Sequence, residues 1–411
     1  MAAGRVRILI VDDSVVMRSL LRTVAGMDAD LEVVGSAADG ESALRAIESD
    51  RPDVVLLDVE MPGMNGLATL RELRARGHKM PVIMCSSLTQ RGARVTIEAL
   101  ASGASDYVAK PAGQSGREAA TQALAQELIP KIRALTASRQ AQRGVGIAGL
   151  GPGFGPGPGA GVGAGNGRGR WTGPVSAPIP GHLPVSLASL GRITASQAIS
   201  STPAVLVIGV STGGPAVLDR MLPGLPASFP LPVMIVQHMP EVFTKLFAER
   251  LNGRCRLRVR EAEEGDQVRA GMVYIARGNW HMEVLRAQRA SAQALPHPTV
   301  HLSQGALENH CRPAADVLFR SAAAVYGSGV LAVVLTGMGS DGMLGCRAIR
   351  EQGGSVIAQD QASSTVWGMP GAVANAGLAH RVLTQDAIVP EILRLASRTD
   401  SEARAQLRSV V

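Results

Sequence analysis

Residues 136–203 contain 16 glycines, 8 prolines and no aspartate or glutamate, and nothing constrains the fold of this 411-residue chain more. From Gly144 to Arg170, 13 of 27 residues are glycine, many alternating with other small residues or proline. Ordering so much glycine costs backbone entropy that this composition has no apolar surface to offset. The segment is therefore expected to be a disordered linker, and the chain to build two separate cores, in residues 1–135 and 204–411. Collagen is excluded because the glycine period is two rather than three. Charge divides at the same places: the net +7 is −1 on residues 1–135 (16 basic, 17 acidic), +5 on 136–203 (5 basic) and +3 on 204–411 (20 basic, 17 acidic). Five arginines across 68 residues are too sparse for a nucleic-acid surface, so none is expected to bind.

No apolar run approaches the 18 or more residues of a membrane span, and a strand-like run starts at Val6 without a secretory signal before it. A cytoplasmic protein without membrane insertion is expected. Cys85, Cys255, Cys311 and Cys346 are far apart with no CxxC, which argues against a disulfide framework or a thiolate zinc site. They are expected to be reduced and mostly buried.

In residues 1–135, apolar runs at 6–11 (VRILIV), 31–35 (LEVVG), 53–57 (DVVLL), 81–85 (PVIMC) and 107–109 (YVA) alternate with stretches of helical period such as Ser14–Ala25 and Leu67–Arg76. Strands separated by helices of 10 to 15 residues imply parallel crossover units. Five of them predict a flavodoxin-like α/β fold, with its chemistry at the carboxyl ends of the strands. That edge collects Asp12 and Asp13 after the first strand, Asp58 after the third, Ser86 and Ser87 after the fourth and Lys110 after the fifth. Three clustered carboxylates repel one another. A hard divalent cation such as Mg²⁺ relieves the repulsion, and a nearby lysine helps to neutralise a transferred phosphoryl group.

The motifs VDDS, LLDVEMPGMNG, CSSLT and GASDYVAKP resemble those of a response-regulator receiver domain, and the likeness covers the segment end to end. It implies that Asp58 accepts a phosphoryl group from a sensor histidine kinase. Asp12, Asp13, Asp58 and the Glu60 backbone carbonyl would hold Mg²⁺. Lys110 would pair with the acyl phosphate, Ser86 would hydrogen-bond it, and Tyr107 would change rotamer in response.

The second half opens on AVLVIGV (204–210), then STGGP, then a stretch of helical period. It has neither G-x-G-x-x-G nor a Walker lysine, so a nucleotide loop is not supported. A serine at a strand-to-helix turn, with small neighbours and Pro215 in the first helical turn, is instead the geometry of a nucleophile elbow. Such a serine needs a base and a group that orients it. His238 follows the next apolar run (232–236), and Asp341 follows a buried strand in VLAVVLTGMGSDG (330–342). His281 in HME is not a deaminase zinc ligand, because no P-C-x-x-C follows it. A doubly wound, mostly parallel α/β hydrolytic domain is predicted, with Ser211, His238 and Asp341 at three strand ends.

GVSTGGP, QHMP, FAERLN, EAEEGDQV, HME, RPAADVLF, LTGMGSDG and WGMPGAVANAG occur in this order and resemble the catalytic domain of the chemotaxis protein-glutamate methylesterase family. An N-terminal receiver joined to that domain is the family's own architecture. The resemblance implies Ser211 as nucleophile, His238 as general base then acid, and Asp341 as its orienting partner. Backbone N–H groups of Thr212 and Met338 are the expected oxyanion donors. Substrates would be glutamyl methyl esters, and glutamines, of methyl-accepting chemoreceptors; the esterase step would need no cofactor, and the protein would be a monomer. The competing reading is a receiver-bearing scaffold with a non-catalytic hydrolase-like half, which the intact Ser211, His238 and Asp341 disfavour.

Phosphorylation of Asp58 adds about 1.5 to 2 negative charges at a site remote in sequence from Ser211, so a docking equilibrium is a better coupling than direct electrostatics. The unphosphorylated receiver is expected to cover the Ser211 cleft. A linker roughly four times the family's usual length raises the closure cost by about 1.2 kcal/mol. Autoinhibition should therefore be leakier than in short-linker relatives, and deleting residues 144–170 should lower the unphosphorylated esterase rate. An unchanged or higher rate would contradict this.

Overall fold

A computed structural model of the chain describes residues 5–111, 116–144, 202–286 and 297–408. Residues 145–201, most of the segment read as a linker, lie outside these. The first domain runs β1 (Val6–Val11), α1 (Val15–Ala25), β2 (Leu31–Ala37), α2 (Gly40–Asp50), β3 (Val54–Asp58), α3 (Gly66–Ala75), β4 (Val82–Ser86), α4 (Gln90–Ala101), β5 (Asp106–Ala109) and α5 (Arg117–Gly144). All five strands are parallel, in the order β2-β1-β3-β4-β5. Helix starts follow local chemistry. Ser14, Asp39, Asn65 and Thr89 are extended residues whose side chains accept a free N–H of the first turn of α1, α2, α3 and α4 respectively.

Helix α5 runs to Gly144, into the stretch read as linker from residue 136. Its Thr136 is buried and donates its hydroxyl to the Ile132 carbonyl one turn back. Thr, Ala, Ser, Arg and Gln at 136–143 carry on the helix because none of them breaks it.

The second domain contains β6 (Val205–Val210), α6 (Gly214–Met221), β7 (Val233–Gln237), α7 (Glu241–Asn252), β8 (Arg258–Glu261), β9 (Met272–Ile275), β10 (His281–Leu285), β11 (Thr299–Ser303), α8 (Ala315–Tyr326), β12 (Val330–Val334), α9 (Met343–Glu351), β13 (Ser355–Gln359), α10 (Met369–Asn375), β14 (Arg381–Leu383) and α11 (Gln385–Arg408). Seven strands form a parallel sheet, in the order β14-β13-β12-β6-β7-β9-β8. The β10–β11 pair is a separate antiparallel hairpin. Central strands such as β6 (VLVIGV) and β12 (VLAVV) are buried along their whole length, as both faces of a parallel sheet require. Strand order reverses between β6 and β12, so ligands are expected at their carboxyl ends.

The two domains pack together. Tyr107 of β5 stacks on Phe243 of α7, with ring centroids 4.6 Å apart and planes 16° apart. The Thr212 hydroxyl donates to Asp106 Oδ2 at 2.7 Å, a buried contact across the interface. Helix α4 lies along α7 and α6, and Arg94 pairs with Glu249 at 3.5 Å. Val366 and Met338 of the second domain pack with the receiver's own apolar cluster. Among the described residues, no helix is long and apolar enough to cross a membrane.

Candidate active site beneath the receiver

Ser211 follows β6 directly. The chain must then reverse into α6, and Gly213 makes the reversal at φ 79°, where a Cβ would collide with Thr365. Gly337, after β12, comes so close that a Cβ there would lie 2.8 Å from that of Ser211. Two side chains hold the carbonyls around the turn: Gln237 Nε2 donates to the Ser211 carbonyl (3.1 Å) and Thr336 Oγ1 to that of Thr212 (2.9 Å). Among the described residues, no backbone carbonyl takes the Thr212 or Met338 N–H.

His238 follows β7, the next strand, and its Nε2 lies 2.8 Å from Asp341 Oδ2. Asp341, 2% exposed, follows β12 on the other side of β6. Its carboxylate is heavily bonded: Oδ2 also accepts the Ala315 N–H (2.6 Å), and Oδ1 accepts the N–H groups of Asp316 and Gly342 and the Asn309 amide. Two of those donors open α8, whose N-terminus favours an anion. Burial alone would raise the Asp341 pKa, but His238 and the backbone donors hold it below the usual carboxylate range. Burial likewise opposes a charged His238, yet Asp341 and Cys311 lift it to about 10.

His238 therefore holds its proton in the folded chain above the pH at which the unfolded chain releases it. The stabilisation is complete below about pH 6.5 and is lost as pH rises through about 10. Wild type should lose thermal stability across that window, and His238→Gln should lose distinctly less. Parallel melting curves would contradict the assignment.

Ser211 and His238 share one cleft of about 660 Å³ between the domains, walled on the receiver side by Tyr107, Glu127 and Lys131. Among the described residues, the Ser211 hydroxyl makes no hydrogen bond to His238. Nε2 is taken by Asp341, and Nδ1 lies 3.6 Å from Cys311 Sγ.

In the receiver, oxygens of Asp12, Asp13 and Asp58 lie within 4.8 Å of one another. Asp12 and Asp58 are buried, and Lys110 Nζ sits 2.8 Å from each. Burial pushes the Asp58 carboxyl above its ordinary pKa, with the Lys110 ammonium only partly offsetting it, whereas the two carboxylates raise Lys110 despite burial. An all-oxygen cluster whose charge is under-compensated fits a hard divalent cation. Ser86, fully buried, donates to the Ser87 carbonyl at 3.1 Å. Tyr107 is buried by its stack on Phe243. Of the cysteines, Cys85 and Cys346 are buried, while Cys255 and Cys311 are partly exposed.

Sequence reasoning missed Asn309, Cys311 and Asp106. Asn309 and Cys311 stand in the polar run ENHCRP just before α8, a cluster without periodicity that could have flagged them. Asp106 carries no local signal, since its partner Thr212 is 106 residues away.

A five-stranded parallel domain with an acidic cluster, docked over the serine and histidine of a second parallel α/β domain, has the architecture of a response regulator with a hydrolase-type output. Residues 8–124 match the response regulator receiver domain and residues 206–392 the CheB methylesterase domain. A protein-glutamate methylesterase/protein-glutamine glutaminase of Trichodesmium erythraeum is 43% identical over 94% of this chain and 98% of its own. One from a Nocardioides species is 45% identical over 96% of both chains. The crystallised CheB catalytic domain of Thermotoga maritima is 41% identical, over 47% of this chain and all of that one, with a TM-score of 0.45. The chain belongs to the CheB methylesterase family and carries that family's receiver domain.

Proposed function

We propose that this protein is a phosphorylation-activated protein-glutamate methylesterase and protein-glutamine glutaminase that acts on methyl-accepting chemoreceptors. The observation that carries the reading is the convergence of Ser211, His238 and Asp341 at the ends of β6, β7 and β12, the three adjacent strands at the switch point, beneath the receiver.

In the neutral-ring form of His238, Ser211 Oγ attacks the glutamyl carbonyl while Nδ1 takes its proton, and the Thr212 and Met338 N–H groups receive the charge forming on the carbonyl oxygen. His238 then protonates the departing methoxide, and methanol leaves an acyl-serine. Water, deprotonated by His238, attacks that ester and frees glutamate and Ser211. A glutamine side chain follows the same route with ammonia as the leaving group. Asp341 remains ionised and keeps Nε2–H in place, so the basic nitrogen is Nδ1.

Asp58 is the phosphoacceptor for a sensor histidine kinase. Mg²⁺ held by Asp12, Asp13, Asp58 and the Glu60 carbonyl would offset the charge of the incoming phosphoryl group. Lys110 and Ser86 contact that group, and Tyr107 passes the change to Phe243. In the unphosphorylated chain the docked receiver restricts the cleft. The protein works in the cytoplasm as a monomer.

Methanol release from methylated receptor tests the reading. Wild type should release it, faster with acetyl phosphate; Ser211→Ala should lose the activity by several orders of magnitude. Asp58→Asn should keep the basal rate and lose the acetyl phosphate response. Equal rates for wild type and Ser211→Ala would remove the assigned nucleophile.

A further inference from the structure

His238 has two ring nitrogens, and in this arrangement neither is open to Ser211. The Asp341 carboxylate can only accept, so the Nε2 it meets at 2.8 Å bears the proton. Nδ1 is thus the atom that must receive the serine proton, and Cys311 Sγ stands against it at 3.6 Å.

Cys311 is held there by a built turn. Glu308 and Cys311 bond to each other through both backbone N–H groups, at 3.1 and 2.9 Å. Between them Asn309 and His310 adopt positive φ values of 51° and 61°, a conformation costly for residues with side chains. Arg320 of α8 clamps Glu308 through two 2.6 Å contacts. The Asn309 amide donates to Asp341 Oδ1 at 2.9 Å and to Asp316 Oδ2 at 3.0 Å. One four-residue turn therefore grips both the acid, through Asn309, and the base, through Cys311.

We infer that Cys311 is a positioning residue for His238: it occupies Nδ1 in the resting site, so that catalysis begins only when Ser211 displaces it. This rests on the function proposed above and adds a second restraint to steric cover by the receiver.

Cys311 also biases the charge of His238, since its contact favours the protonated ring. Other charged groups face the imidazole as well. Asp341 is in contact, with Asp316 behind it; Glu241, His310 and Arg312 come from the cleft's own wall, and Asp106, Glu127 and Lys131 from the receiver. All of them remain when Cys311 is replaced, so a change in the His238 titration reports the thiol.

The test uses the full chain in two arms. In the first, ¹⁵N NMR follows the His238 ring in Ser211→Ala and in Ser211→Ala/Cys311→Ala. The double variant should titrate about one pH unit lower, a roughly tenfold larger neutral fraction at fixed pH below the midpoint; Cys311→Ser, which keeps a hydrogen-bonding group, should lie between them. In the second arm, methanol release from methylated receptor is followed against pH in Cys311→Ala with Ser211 intact. The acid limb should move to lower pH, with kcat raised at neutral pH and KM unchanged. Coincident NMR titrations would overturn the inference whatever the esterase does. A shifted titration without esterase activity in any variant would leave the contact standing and reject the proposed function instead. If melting shows Cys311→Ala unfolded, Cys311→Ser carries both arms, and a titration lower than that of the Cys311 chain remains the required result.

Discussion

Asp341→Asn should lower the phosphorylated esterase rate by a factor on the order of 10⁴, the size of effect seen when a triad carboxylate becomes a neutral amide. Asp341 accepts five donors with two ionised oxygens: His238 and Ala315 on Oδ2, and Asp316, Gly342 and Asn309 on Oδ1. Asparagine offers one acceptor oxygen. Whichever way its amide turns, an NH₂ group faces donors that had an anion. At Nε2 the imidazole loses the partner that keeps its proton there, so Nδ1 is no longer held as the basic nitrogen that must take the serine proton. Stability falls too, since each buried donor left without an acceptor costs about 1–3 kcal/mol. Methanol release measured well below the melting temperature of the variant separates the two effects. A rate within tenfold of wild type, in a folded variant, would mean that Asp341 only braces α8.

The second large effect is expected in the opposite direction. Asp106→Ala, in the receiver and remote from Asp58, should raise the unphosphorylated esterase rate. Asp106 Oδ2 accepts the Thr212 hydroxyl at 2.7 Å in the buried interface, and Oδ1 accepts the Tyr107 N–H and lies 3.7 Å from Lys131. Removing the carboxylate leaves the buried Thr212 hydroxyl without its acceptor, while Lys131 keeps Glu127 and the Tyr107 carbonyl. That weakens docking by about 2 kcal/mol, a roughly 30-fold shift in the closed-to-open ratio. The basal rate should climb toward the phosphorylated ceiling, and acetyl phosphate should add little. Aromatic stacking of Tyr107 on Phe243 remains and keeps some closure. An unchanged basal rate, with the melting curve also unchanged, would show that the Asp106–Thr212 bond does not restrain the enzyme.

These two predictions differ in how far a reader of the sequence alone could reach them. Asp341 was legible. It follows a five-residue apolar run in a chain whose strands alternate with helices, and a parallel α/β sheet gathers its chemistry at the strand ends. The same logic found Ser211, His238, Asp12, Asp58 and Lys110. The caps at Ser14, Asp39, Asn65 and Thr89 are local as well, each accepting an amide three residues on, although only the stretches Ser14–Ala25 and Leu67–Arg76 are read as helical from the sequence. Where α5 ends was not. Residues 136–143 lack acidic residues as the glycine-rich stretch does, but their helix propensity is ordinary, and Thr136 buries itself against the preceding turn.

What the sequence determined by itself was therefore whatever depends on neighbours along the chain or on sheet periodicity: two α/β cores, their strands, their helix caps, and the reactive residues at each sheet's carboxyl edge. Tertiary structure alone decided which groups occupy the unused faces of those residues. Cys311 on Nδ1, Asn309 shared between Asp341 and Asp316, and Asp106 against Thr212 are contacts between side chains from 7 to 106 residues apart. No periodicity encodes such pairs. Loop geometry and domain docking bring them to bonding distance, and there burial makes each unpaired group costly enough for the partner to matter.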